Sequence, residues 1–252
     1  MGQIISIVNQ KGGVGKTTTA VNLTAALTEK HKNVLLCDFD PQANASSGLG
    51  ISREKDSVLT SYDIIINDAP AQQAVQRTKY GDLIPSGADL TGAVVELVAL
   101  QAREYRLRDA LHPLRDKYDY ILIDCPPSLE LLTLNALCAA DSILIPVQCE
   151  YYALEGLSDL ITTLRSVKKT MNPGLEIFGV LLTMYDGRTN LSFQVAEEVR
   201  RYCGSRTFVT VIPRNVRLSE APSYGMPVTA YDRLSRGAAA YRALADEILS
   251  RK

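Results

Sequence analysis

The chain has 252 residues, of which 46% are hydrophobic and 22% are charged, with a formal net charge of -1 at pH 7. This composition excludes a disordered or collagen-like chain. Because 27 Lys and Arg residues are balanced by 28 Asp and Glu residues, a globally basic nucleic-acid binder is also excluded, whereas a local basic patch is not.

Strands and helices alternate along most of the chain. Short apolar runs predict strands at 4–9, 34–39, 120–123, 142–147 and 177–183. Helical spacing of apolar residues predicts helices at 17–30, 129–137, 154–168, 194–202 and 237–249. Residues 50–115 are less regular, with short helices and one short strand near 83–84. Unbroken apolar strands that alternate with helices indicate an α/β fold, a doubly wound, mostly parallel sheet with helices on both faces.

No linker, repeat or low-complexity tract interrupts this pattern, so we expect one domain over residues 1–252. The five cysteines form no C-x-x-C pair, and most lie among aliphatic residues, which predicts reduced, buried thiols in a cytosolic protein. We expect no transmembrane helix, because no run of about 18 apolar residues occurs, and no signal peptide.

A glycine-rich loop follows the first predicted strand and leads into the first predicted helix. It reads Gln10-Lys11-Gly12-Gly13-Val14-Gly15-Lys16-Thr17-Thr18. The glycines let successive backbone N–H groups point inward, and the helix start adds its positive dipole end, which is typical of a phosphate cradle. Lys16 is placed to contact β/γ-phosphates and the Thr17 hydroxyl to ligate Mg²⁺, although Gln10 stands where the common P-loop pattern has glycine.

A second lysine, Lys11, lies at the start of the same loop. One lysine is enough to serve a phosphate chain from its own loop. Lys11 is therefore either a solvated surface charge or a group that serves something else, and the loop chemistry leaves both interpretations open.

Three carboxylates lie at the ends of predicted strands. Asp38 and Asp40 end the second strand, and Asp124 ends the strand that precedes Cys125-Pro126-Pro127. Ligands of open parallel sheets bind outside the carboxyl ends of strands, so we expect these acids to converge on the glycine-rich loop. Asp124 suits a Walker B role, holding Mg²⁺ through water; Asp40 is a candidate to orient the attacking water, and Asp38 is a further candidate for the metal. The alternative for any one of them is a helix N-cap or a turn.

Taken together, these residues resemble the ParA/MinD family of deviant Walker A ATPases, and most of all its short chromosomal ParA proteins, the Soj group. The family pattern K-G-G-x-G-K-T-T is met at residues 11–18. The likeness continues at 34–50, 118–127, 145–157 and 212–222, so that it covers nearly the whole chain. Because the loop begins at residue 10, we expect no helix-turn-helix extension before it.

The resemblance implies a P-loop ATPase that hydrolyses ATP to ADP and phosphate with Mg²⁺ and forms an ATP-sandwich homodimer. Lys11 matches the signature lysine that reaches the partner subunit's nucleotide, with Gly12 at the dimer interface, and Asp40 matches a residue needed for hydrolysis but not for dimerisation. The implied catalytic set is Lys11, Lys16, Asp40 and Asp124. The implied ATP-binding set is Lys11, Gly12, Gly13, Val14, Gly15, Lys16, Thr17, Thr18 and, beside adenine, Pro213 and Asn215.

DNA binding is also implied, because Arg188 and Arg217 match arginines that bind DNA in the Soj group. Residues 188–217 hold six arginines and two glutamates, a local charge of +4, with Arg206 as a further candidate. Arginine clusters suit duplex phosphate backbones without sequence preference. Asp186 places an acid beside this basic segment. The implied role is chromosome or plasmid segregation, with hydrolysis stimulated by a ParB-like partner and a cytoplasmic, nucleoid-associated location in a bacterium.

Three related readings compete with a partitioning ATPase. A MinD-like membrane ATPase needs an amphipathic C-terminal helix, but residues 241–252 carry Asp246 and Glu247 and resemble a final domain helix. A cluster-carrying relative, such as the nitrogenase iron protein, needs cysteines at a dimer face, and Cys125 lies in a structural Cys-Pro-Pro context. A tyrosine-kinase relative would carry a tyrosine-rich tail. We favour the partitioning ATPase.

Overall fold

Seven strands form one sheet in the computed structural model, which describes residues 1–51 and 58–251. The strands are β1 (Gln3–Ile7), β2 (Val34–Asp38), β3 (Gln76–Thr78), β4 (Gly81–Ile84), β5 (Tyr120–Asp124), β6 (Ser142–Gln148) and β7 (Glu176–Thr183). Their order across the sheet is β3-β4-β2-β5-β1-β6-β7. All neighbouring pairs are parallel except β3 and β4. The structure therefore confirms the predicted mostly parallel sheet.

Helices occupy most of the segments between the strands. They are α1 (Lys16–Glu29), α2 (Asn44–Gly48), α3 (Ser61–Ile66), α4 (Ala71–Ala74), α5 (Leu90–Val98), α6 (Arg106–Leu111), α7 (Leu131–Ala139), α8 (Ala153–Thr170), α9 (Asn190–Cys203), α10 (Val216–Glu220), α11 (Val228–Tyr231) and α12 (Arg236–Ser250). Short 3₁₀ turns lie at His112–Leu114, Gly204–Arg206 and Ala221–Tyr224. Each predicted helix is present, with ends that differ by a few residues.

Two hydrophobic clusters show why the apolar runs of the strands are unbroken. Successive strand residues point to opposite faces, so that Ile4 joins one cluster and Ile5 the other. The first cluster contains residues of α3 and of α5 to α9, and the second contains residues of α1 and α12. The sheet is therefore covered by helices on both faces, as a doubly wound fold requires.

The antiparallel edge strand β3 was not predicted. Its three residues, Gln76, Arg77 and Thr78, are polar and only partly buried, so no apolar run marks them. The strand forms because a tight return at Gly81, whose φ is +124°, brings it back against β4. Residues 52–57, within the less regular region, lie outside the described residues. The one-domain organisation stays a prediction.

Candidate active site

The glycine-rich loop between β1 and α1 is an open cradle. Gly13 and Gly15 have φ values of +73° and +90°, which residues other than glycine rarely adopt. A Cβ built on Gly12 or Gly13 would meet no described atom within 4 Å, so the space before these residues is open. Within the described chain no side chain caps the first turn of α1. Its free N–H groups therefore point to the cradle and suit an anion.

Lys16 supplies the positive charge of this cradle. The side chain is buried, and its Nζ donates a hydrogen bond to the Lys11 carbonyl oxygen at 3.1 Å. Burial lowers the pKa of Lys16, while the nearby negative charge of Asp124 acts in the opposite direction. Lys16 forms no ion pair among residues 1–51 and 58–251. A buried cation held by one carbonyl is suited to a phosphate oxygen.

Asp124 lies beside the cradle because β5 pairs with both β1 and β2. The register places it next to Ile7 on one side and Asp38 on the other. Both carboxylate oxygens are buried, and neither has a hydrogen-bond partner among the described residues. Burial and the charge of Asp38 raise the pKa of Asp124, and the nearby Thr17 hydroxyl lowers it. An unpartnered buried carboxylate costs several kcal/mol in isolation, so Asp124 fits a cation that the protein itself does not supply.

These residues fit Mg²⁺ better than a metal that proteins hold in a cage of side chains. Among the described residues there is no group of three or more His, Cys, Asp or Glu side chains that could hold a metal ion. Mg²⁺ instead keeps several waters and takes one or two protein ligands together with substrate phosphates. The Thr17 hydroxyl and Asp124, next to the cradle, match that requirement.

Asp38, the further candidate for the metal, is hydrogen-bonded within the chain. Its Oδ2 accepts hydrogen bonds from the Ser46 N–H and hydroxyl, both at 2.7 Å, and its Oδ1 accepts the Asp40 N–H at 3.3 Å. Burial raises its pKa to about 6, against the lowering effect of these bonds. Its oxygens are therefore engaged with α2 and the strand end, and a contact between Asp38 and the metal stays a prediction.

Asp40 follows β2 at the same edge of the sheet and is buried. Its Oδ1 accepts the backbone N–H of Gln42 at 2.9 Å, which fixes the carboxylate relative to the turn after β2. Its negative charge acts on Lys16 and Asp124, which places all three around one space. The acids at the strand ends therefore lie together beside the loop, as expected. Asp38 is next to Asp124 in the sheet and accepts the backbone N–H of Asp40.

A cavity of 710 Å³ adjoins the cradle on the side of α10. Gly15 and Thr18 line it from the loop, and Pro213 and Asn215 line it from the segment before α10. The Asn215 Oδ1 accepts the Arg217 N–H at 3.0 Å and caps α10. The two residues assigned to adenine thus lie next to the phosphate cradle, although about 200 residues separate them from it along the chain.

Lys11 points away from the cradle that Lys16 occupies. Its Nζ lies 3.4 Å from Glu150 Oε2, and both side chains are almost half exposed. The Lys11 backbone N–H donates to Asn9 Oδ1 at 3.0 Å, which holds the loop while the side chain extends to the end of β6. This arrangement supports a role for Lys11 outside its own loop; the reach to a partner subunit stays a prediction.

Sequence reasoning missed the side chains that hold the cradle in place. Asn9 donates from Nδ2 to the Pro146 carbonyl at 2.7 Å, and the Thr183 hydroxyl donates to the Val14 carbonyl at 2.8 Å. The position of Asn9 just before the glycine-rich loop could have identified it as a residue that supports the loop. Thr183 had none, because it lies at the end of β7, far from the loop in sequence.

The basic segment 188–217 divides into two groups. Tyr185 pairs with Pro213, which brings Arg188, Arg214 and Arg217 to the carboxyl edge of the sheet. α9 then runs back over its 14 residues, a length of about 21 Å. Arg206 consequently lines a separate cavity with Lys168 and Glu176 at the start of β7. Arg206, the further candidate for DNA binding, therefore lies apart from Arg188, Arg214 and Arg217, and its role stays a prediction.

Comparison with known proteins gives one consistent result. Residues 2–177 match the family described as an AAA domain. The chain is 56% identical to the chromosome partitioning protein ParA of Myxococcus xanthus, covering 100% of this chain and 89% of the relative. It is 57% identical to the sporulation initiation inhibitor protein Soj of Bacillus subtilis, covering 98% of each. Its fold matches cobyrinic acid a,c-diamide synthase from Mycobacterium smegmatis with bound ADP and magnesium, with a TM-score of 0.86, 38% identity and coverage of 99% and 94%.

Proposed function

This chain belongs to the ParA/MinD family of ATPases, with the ParA and Soj chromosome-partitioning proteins, and from that premise we propose that it segregates DNA by an ATP-controlled cycle of dimerisation and DNA binding. The protein is a partitioning ATPase that uses ATP and Mg²⁺. The observation that carries the site assignment is the buried, unpartnered Asp124 carboxylate beside the open cradle of Lys16.

In the proposed site, the α1 N-terminus and Lys16 hold the β/γ-phosphates, while Pro213 and Asn215 contact adenine. Thr17 and Asp124 would hold Mg²⁺, with Asp124 acting through water. Bound Mg²⁺ supplies positive charge that offsets charge on the transferred phosphoryl group. Lys16 places a second positive charge on the same oxygens from a fixed, buried position, so little reorganisation is needed during reaction.

Asp40 is proposed to position the attacking water. Its Oδ1 is held by the Gln42 N–H, so the carboxylate is fixed at the cradle rather than free to rotate. A fixed carboxylate can accept a hydrogen bond from water and so align it with the phosphorus atom. Asp40 does not hold the phosphates in this scheme, so its loss stops hydrolysis and leaves ATP binding intact.

ATP is proposed to join two subunits through the face that carries Lys11 and Gly12. Lys11 already extends out of its own cradle to Glu150, with its charged end at the surface. A Cβ on Gly12 would meet no described atom within this chain, which leaves room for a second copy to approach. Lys11 then leaves Glu150 for the nucleotide of the partner subunit.

The dimer is proposed to bind duplex DNA without sequence preference through Arg188, Arg214 and Arg217 of each subunit. Guanidinium groups contact phosphates in ways that carry no sequence information. A ParB-like partner is proposed to stimulate hydrolysis and so release the DNA, which accounts for the partitioning role of the named relatives. Nucleoid association in the bacterial cytoplasm follows from this DNA binding.

Three observations weigh against the competing functions. The apolar face of α12, with Tyr241, Leu244 and Ile248, is buried against α1, so it is not available to a membrane surface. In the described part of the chain, no helix is long and apolar enough to cross a bilayer. Cys125, the candidate for a metal cluster, is fully buried rather than displayed at a surface.

The proposed cycle is tested by measuring affinity for a random-sequence duplex with ATP and with ADP across a salt series. We expect tight binding with ATP, weak binding with ADP, and a linear fall of log affinity with log salt. Size-exclusion chromatography under the same conditions reports the dimer. Equal DNA affinity in the two nucleotide states, or strong preference for one sequence, would contradict the proposal.

A further inference from the structure

Arg188, a proposed DNA contact, is already paired within its own chain. Its Nε donates to Asp186 Oδ1 at 2.9 Å and its Nη2 to Asp186 Oδ2 at 2.7 Å. The side chain is 88% exposed, so the pair lies on the surface where DNA would bind. Hydrogen bonds from Arg188 hold the pKa of Asp186 well below its usual range, which keeps the carboxylate charged.

Arg217, the second proposed contact, is held by two carboxylates from different elements. Its Nη1 lies 2.7 Å from Glu220 Oε2, one turn further along α10, and its Nε lies 3.2 Å from Asp232 Oδ2, just after α11. The Tyr231 hydroxyl donates to the same Glu220 oxygen at 3.2 Å. Arg214 differs, because its side chain forms no ion pair or hydrogen bond with any described residue.

We propose that Asp186, Glu220 and Asp232 set the affinity for DNA by occupying the phosphate-binding faces of Arg188 and Arg217. The inference rests on the proposed DNA binding. A guanidinium uses the same fork of N–H groups for a carboxylate and for a phosphate. A phosphate that binds through the N–H groups already paired, Nε and Nη2 of Arg188 or Nε and Nη1 of Arg217, must displace a carboxylate first.

This competition explains how one subunit and a dimer can differ sharply in DNA binding. Exposed ion pairs are weak, so a phosphate can displace them at a modest cost. A single subunit pays that cost for few contacts, whereas a dimer spreads its binding over two linked sites and gains avidity. The carboxylates thus lower the DNA affinity of a single subunit, while the dimer still binds DNA reversibly.

The test is the Asp186→Asn variant, with its affinity for a random-sequence duplex measured by fluorescence anisotropy in the presence of ATP. Asparagine keeps an oxygen that can accept the backbone N–H of Arg188, which donates to Oδ1 at 3.1 Å, but it loses the charge. We expect about threefold to tenfold tighter binding for the dimer, as suits the loss of two exposed pairs. Glu198→Gln, which removes an exposed carboxylate of α9 without an ion pair in the described chain, is the matched control and changes affinity by less than about twofold.

Repeating Asp186→Asn in an Arg188→Ala background separates competition from a general field effect. If the carboxylate acts by occupying Arg188, the gain disappears in that background; an equal gain in both backgrounds, or no gain in the wild-type background, overturns the proposal. If Asp186→Asn unfolds, as a thermal melt would show, Glu220→Gln with and without Arg217→Ala gives the same test. Wild-type protein that binds no duplex with ATP at low salt would instead refute the proposed DNA binding itself.

Discussion

At the scale of single residues, Lys16 is the side chain on which nucleotide binding depends most. It is the buried cation of the cradle, held by a carbonyl oxygen that a phosphate oxygen would replace. We expect Lys16→Ala to abolish ATP binding, since the remaining backbone N–H groups cannot offset the charge of the β/γ-phosphates. Titration calorimetry with Mg²⁺ and ATP measures the effect. Affinity close to that of the wild type would refute the phosphate-loop assignment.

Asp40 tests whether hydrolysis and binding are separable. Asp40→Ala leaves Lys16, Thr17 and the adenine cavity unchanged, so ATP affinity should stay within a few fold. Hydrolysis should fall about a hundredfold or more, which is the range lost when a positioned proton acceptor is removed. The variant should accumulate as an ATP-bound dimer on size exclusion. A monomer with ATP, or normal turnover, would remove Asp40 from this role.

At the scale of elements, the docking of α12 depends on a polar contact near its end as well as on its apolar face. Glu247 accepts the backbone N–H groups of Val209 and Thr210, each at 2.8 Å, and pairs with Arg251. Burial alone would raise the pKa of Glu247, but the hydrogen bonds from Thr210 and Val209 lower it. The charged form is therefore stabilised by folding.

We expect Glu247→Gln to lower the free energy of unfolding at neutral pH by about 1–2 kcal/mol, because glutamine keeps one acceptor oxygen but loses the charge, the second backbone hydrogen bond and the ion pair with Arg251. Since the folded pKa is depressed, this stabilisation is present above the ordinary carboxyl pKa of 4.5 and disappears as pH falls through the folded value. Urea unfolding of both proteins at neutral and acidic pH measures it. Asp246→Asn, an exposed neighbour paired with Lys30, serves as the control and should change stability little.

At the scale of the whole molecule, a net charge of -1 is combined with a local concentration of arginine at one edge of the sheet. Long-range attraction to DNA is weak for such a chain, so binding must come from a few direct contacts and their duplication in a dimer. This is why ATP, by joining two subunits, is expected to control DNA binding without any change in the contacts themselves.

Arg217→Glu is expected to weaken binding to all duplex sequences alike and to flatten the salt dependence. Two phosphate contacts are lost per dimer, so the slope of log affinity against log salt should fall by about 2. ATP-dependent dimerisation should persist, since Arg217 pairs with Glu220 and Asp232 and not with Lys11. Arg206→Glu is the matched control, because the same charge change at the far end of α9 should leave DNA affinity unchanged. A larger loss for Arg206→Glu would place the DNA surface there instead.

The sequence was enough to predict the mostly parallel sheet and the glycine-rich loop, because these depend on local pattern, whereas the roles of the site residues stay predictions. Apolar runs mark buried parallel strands, and three glycines before Lys16 mark a backbone cradle within a few residues of chain. The same local patterns carried the family resemblance that the comparisons confirm.

The partner of each charged side chain depends on how the elements pack in three dimensions. At adjacent strand ends, the Asp124 carboxylate has no hydrogen-bond partner among the described residues, whereas Asp38 Oδ2 accepts two hydrogen bonds from Ser46. The length of α9 separates Arg206 from Arg188, which a charge count along the chain had joined. Hydrogen bonds and ion pairs act over a few ångströms in space, whereas the spacing of residues along a chain fixes their positions only within one element.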